Sequence, residues 1–115
     1  MYQFSYADIL ADDADDARAR ERQALDQAAA LLLHAAEGAP GSVEEGKAVD
    51  FTTELWAMFI KDLAHPGNAM SDELRASLMS IGLGVMAECR RIGLGESRDL
   101  AGIADICGII RDGLK

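Results

Sequence analysis

The chain has 115 residues, half of them apolar and only 5% aromatic, with 20 acidic side chains against 11 basic ones and a net charge of −9. That length suits one compact domain with a single core, and the abundance of Ala and Leu favours helices over strands. The acidic balance argues against nucleic-acid binding through phosphates and against docking on anionic lipid, and two cysteines make no disulfide framework.

In chain order, the opening MYQFSYADIL holds three aromatics, Tyr2, Phe4 and Tyr6, at alternating positions. It has neither the basic start nor the apolar stretch of a secretory signal. Alternation suits an extended arm over residues 1–11, which either packs over the open end of a bundle or serves as a contact arm for a partner. The acidic run Asp12-Asp13-Ala14-Asp15-Asp16 then suits a helix start, because Asp side chains accept free N–H groups and match the positive end of the dipole. A first helix is expected over about 13–36, ended by Gly38, Pro40 and Gly41. Its stripe is Ala17, Ala24, Leu25, Ala28, Leu31, Leu32 and Ala35.

Ser42-Val43-Glu44-Glu45 fits a capping box and opens a second helix over about 43–64, stopped before Pro66. Ala48, Thr52, Leu55, Phe59 and Leu63 centre its apolar face. Val49, Trp56 and Ile60 widen it on one side, and Phe51 and Met58 on the other. The resulting arc of roughly 200° is about twice what a half-buried helix needs. A third helix over about 71–93 follows, capped by Ser71, with the stripe Leu74, Leu78, Ile81, Val85, Cys89 and Ile92. Met79, Leu83 and Met86 fall on another face, and Gly82 and Gly84 interrupt the helix. A fourth helix over about 97–113 starts at Ser97 and buries Leu100, Ile103, Cys107, Ile110 and Leu114, with Ile106 and Ile109 extending that face. Short connections make consecutive helices antiparallel. The expected architecture is therefore all-α, a small antiparallel four-helix bundle in one domain. The surplus apolar surface has two readings: the third helix sits centrally and is touched on two sides, or a groove receives an amphipathic partner helix.

The remaining motifs point away from enzyme chemistry. Asp12, Asp13 and Asp16 spell DDxxD, a diphosphate-metal pattern in some prenyl-transferring enzymes, but no second cluster accompanies it and helix capping accounts for it. His34 and His65 have no partner at metal-ligand spacing, and Cys89 and Cys107 fall on apolar stripes as small hydrophobes. Gly93-Leu94-Gly95 lacks the remaining glycine and the preceding strand of a phosphate loop. Arg18, Arg20, Arg22, Arg90 and Arg91 lie among acids and read as solvated faces. No catalytic residue, metal or cofactor is expected. The longest uncharged apolar run is too short for the roughly 20 residues of a membrane span. A cytoplasmic protein is expected.

The opening MYQFSYADIL together with ARARERQAL (Ala17 to Leu25) resembles the FlaF family of flagellar proteins of alphaproteobacteria. Further matching pieces follow in order: Glu54-Leu55-Trp56, Ile60-Lys61-Asp62-Leu63, Asp72-Glu73-Leu74-Arg75, Ser80-Ile81-Gly82 and the closing Ile109-Ile110-Arg111-Asp112-Gly113-Leu114. The resemblance covers essentially the whole chain. It implies a non-enzymatic, cytoplasmic regulator of flagellin synthesis and secretion that binds flagellin in the manner of a chaperone and acts opposite a second regulator, FlbT. The alternative it leaves is post-transcriptional action through FlbT or the flagellin message. Spare apolar helix faces suit the first role, because flagellin's amphipathic terminal helices stay unfolded until assembly. The expected contact pool is Tyr2, Phe4, Tyr6, Phe51, Met58, Met79, Leu83 and Met86, with flagellin as partner, FlbT as a second one, and neither nucleic acid nor membrane.

Overall fold

The computed structural model describes residues 6–114, with side chains described from Asp16 onward. Four helices follow one another: α1 (Tyr6–Ala36), α2 (Val43–Ala64), α3 (Asp72–Gly93) and α4 (Leu100–Gly113), with no strand among the described residues. The expected all-α bundle is what forms. None of these helices is long and apolar enough to cross a membrane.

The caps explain where three helices begin. Ser42 Oγ accepts from Glu45 N at 3.1 Å, and Ser71 Oγ accepts from Leu74 N at 3.2 Å, as their sequences require. For α4 the cap is Asp99, whose carboxylate accepts from Gly102 N at 3.0 Å, so the helix starts at Leu100 and not at Ser97. Helix α1 starts at Tyr6, well before the expected start near Asp13. The acidic run therefore lies inside α1, where Ala7, Leu10, Ala11 and Ala14 are good helix formers. Tyr6 is helical, against the expectation of an extended arm; Tyr2, Phe4 and the Tyr6 side chain lie outside the described residues.

Helix α1 packs on both α4 and α2, α2 also packs on α3, and α3 barely touches α4. The two central helices are thus α1 and α2, and the expectation of a central third helix fails. Leu25, Leu32 and Ala35 from α1, Ala48 and Trp56 from α2, Val85 and Cys89 from α3, and Leu100, Ile103 and Cys107 from α4 fill the core. The helices run antiparallel in sequence. Glu21 and Asp62 share one cavity wall at one end, whereas Arg98 reaches Glu45, Ala35 and Gly38 at the other.

That second end is held by a polar clasp. Glu45 is 6% exposed, and its carboxylate accepts from Gly41 N at 2.8 Å and from Arg98 Nε at 3.1 Å. Arg98 Nη2 also donates to the carbonyls of Ala35, at 3.4 Å, and Gly38, at 3.2 Å. The capping-box glutamate therefore reaches past Ser42 to Gly41 and joins the α1–α2 connection to the α3–α4 connection. Charge-assisted bonds of this kind are stronger than neutral ones.

The face of α3 differs from the expected stripe. Gly82 is buried, while Leu74 and Ile81 are 48% and 37% exposed. A Cβ on Gly82 would lie 2.8 Å from Trp56 Cε3 and 3.2 Å from Ile60 side-chain carbons. The missing side chain lets α3 press directly on the Trp56 ring. Met79 and Met86 are half-buried, with Met86 packed against the core, and Ile81 is turned outward. On α4, Ile109 is likewise 68% exposed and does not extend the buried face.

Candidate functional site

Helix α2 carries more apolar surface than the core takes, as its sequence predicts, and the surplus lies beside α1. From α1, Ala17 and Ala24, seven residues apart, supply short side chains on one side of the contact. From α2, Phe51, Leu55, Met58 and Phe59 supply long ones. Short residues facing long ones leave an open groove of about 550 Å³. That is within the usual size range of a ligand site. Both walls follow helical spacing, so the groove runs along the helices rather than forming a closed pit.

The side chains in the groove are differently anchored. Leu55 is buried and belongs to the core. Phe59 is half-buried and meets the edge of Trp56, with ring centroids 5.5 Å apart and an interplanar angle of 71°. Phe51 is half-buried against the core cluster. Met58 is 71% exposed and stands on the groove edge. A flexible thioether in that position adapts to varied apolar partners.

Charge sets the rim. Arg20, Glu21, Glu54 and Asp62 border the groove, three acids against one base. Burial raises the Glu21 carboxyl above its ordinary range, the nearby Asp62 charge raises it further, and Arg18 and Arg20 offset part of this. The site therefore favours a segment that is apolar on one side and basic on the other.

The contact pool expected from the sequence divides here. Phe51 and Met58 come together in the groove. Met79 and Met86 are half-buried on α3, with Met86 packed against the core, and Leu83 is 60% exposed elsewhere on that helix. None of these three lines the groove. Their placement apart from the groove goes with the close approach of Gly82 to Trp56. Ala17, Ala24 and Phe59 were not in that pool. The paired alanines were legible only as ordinary stripe positions, because a groove depends on which large residues face them.

The geometry offers non-covalent recognition. Among the described residues no group of three or more His, Cys, Asp or Glu could hold a metal ion. Cys89 and Cys107 are buried, and burial pushes both thiols up, away from the reactive thiolate. Asp16, the described member of the DDxxD pattern, is exposed on α1.

The family model described as "Flagellar protein FlaF" matches residues 2–114. No curated protein and no solved structure matches the chain.

Proposed function

The chain belongs to the FlaF family of flagellar proteins, and from that premise we propose that it is a non-enzymatic regulator of flagellin synthesis and secretion which binds flagellin through the groove between α1 and α2. The family places it in flagellum assembly. The observation that carries the finer reading is the groove itself: Phe51, Met58 and Phe59 beside Ala17 and Ala24, open to solvent along two helices. A terminal helix of flagellin, amphipathic and unfolded before assembly, would lay its apolar face there and be kept from premature polymerisation. Ordering such a segment opposes binding, so the affinity stays modest enough for release at export.

In this reading the protein works in the cytoplasm and touches neither nucleic acid nor membrane. The net charge of −9 supports both absences, since a phosphate surface would be repelled. FlbT would then respond to how much flagellin is held. The test is a pull-down of purified flagellin on the immobilised protein. Retention is expected at about 50 μM or below, an affinity ordinary for a helix in a groove. No retention at that concentration contradicts the proposal.

A further inference from the structure

The wall opposite the α1–α2 groove is also open. Because α3 barely touches α4, a trough of about 570 Å³ remains between them. It is lined by Ile81 and Val85 on α3 and Ile103, Ile106, Ile109 and Ile110 on α4. Val85 and Ile103, both buried, form its floor, and the exposed Ile81 and Ile109 stand at its rim, so the trough is a shallow apolar furrow between two helices. It shares no residue with the first groove.

Gly84 opens onto this trough, and a Cβ placed there would meet nothing within 4 Å. The contrast with Gly82, two residues earlier, is direct: Trp56 and Ile60 explain that glycine, whereas among the described residues no contact requires Gly84. A glycine inside a helix is unfavourable, and its use is to let another backbone come close. The two charged residues lining the trough, Glu88 and Asp99, are both acidic. Arg91 is paired with Glu88 at 3.1 Å, and Ser97 also donates to Glu88. Asp99 caps α4 with one carboxylate oxygen and stays exposed, so its charge meets a basic helix laid there, whereas a second copy of the chain would bring another −9 against this face.

We infer that the α3–α4 trough is a second docking surface, which takes a cationic amphipathic helix of another protein seated over Gly84 between the isoleucine rows. This site is independent of the flagellin groove, and both can be filled together.

The test is an NMR titration of the full chain, labelled on isoleucine and methionine methyls and backbone amides. Two synthetic helical peptides share one Leu/Ala face and differ in carrying Lys or Glu on the other. The Lys peptide should move the methyls of Ile81, Ile106 and Ile109 and the amide of Gly84. Its affinity should exceed that of the Glu peptide at least tenfold and fall at least tenfold on Gly84→Leu and on Ile109→Glu. Ile109 is largely exposed and Gly84 faces open space, so both variants should keep the wild-type circular dichroism. The inference is overturned if the isoleucines stay still at millimolar peptide, or respond equally to both peptides. It is also overturned if they shift on concentrating the protein alone, which would mean a second copy. Failure of the flagellin reading is seen separately, with flagellin itself as titrant, at Phe51 and Met58.

Discussion

Gly82 and Gly84 form an internal control for how α3 is packed. Both are interior to one helix, so replacing either by Ala gains about 1 kcal/mol of helix propensity. At Gly84 a Cβ meets nothing within 4 Å, so Gly84→Ala should stabilise the chain by that full amount, about 1 kcal/mol. At Gly82 the new Cβ would sit 2.8 Å from Trp56 Cε3, inside van der Waals contact with a ring that is only 1% exposed. The ring has no free end to swing away, so α3 and α2 must separate. Overpacking of this kind costs about 1–3 kcal/mol. The net for Gly82→Ala is then between about neutral and 2 kcal/mol destabilising, and the two variants should differ by about 1–3 kcal/mol. Urea unfolding followed by circular dichroism measures both. Trp56, the one tryptophan of the chain, gives a local signal, and its emission should change in Gly82→Ala and not in Gly84→Ala. If Gly82→Ala stabilises as much as Gly84→Ala, α3 does not rest on Trp56 and the account of its packing is wrong.

Four further outcomes follow from the same geometry. Leu32→Ala, at a fully buried position, should lower stability by about 2–5 kcal/mol in urea, whereas Met58→Ser, at an exposed one, should leave it within about 0.5 kcal/mol. Arg98→Ala strips a partner from the buried Glu45 carboxylate and should cost about 1–3 kcal/mol by the same measurement; a neutral result would mean that the clasp closes equally well on Gly41 alone. Glu21 is raised by burial and by Asp62, so the folded state holds its proton more tightly than the unfolded one. Stability therefore falls as pH rises from the ordinary glutamate value of 4.5 through the raised native value, and stays lower above it. Glu21→Gln should accordingly melt higher than wild type at neutral pH and equal to it below the ordinary value, and a wild type that melts higher at neutral pH would refute that sign.

Most of the fold was legible because its signals are local. Ser42 and Ser71 cap the helices their sequences mark, and most of each stripe of α1 and α2 is buried as its spacing dictates, with Ala17, Ala24 and Phe59 left partly open at the groove. The start of α1 was misread because aspartates favour helix starts but tolerate a helix interior when Ala and Leu surround them. At the start of α4, Ser97 and Asp99 were both chemically able to cap, and only the three-dimensional path of the loop selects Asp99. The site was half legible. Phe51 and Met58 exceed what one buried face requires, and that excess is visible on a helical wheel. The facing Ala17 and Ala24 acquire meaning only from their neighbour helix. The methionines of α3 lie apart from that groove and are half-buried, which a wheel does not show because it records periodicity and cannot register that Gly82, lacking a side chain, is a point of close approach.

The central claim is that flagellin binds in the α1–α2 groove, and calorimetric titration of purified flagellin into the wild type and into Met58→Ser tests it most directly. The account predicts saturable binding to the wild type and at least tenfold weaker binding to Met58→Ser, about 1.4 kcal/mol or more, with the two proteins melting at the same temperature. Equal affinity for both proteins, or no binding to either, would contradict it.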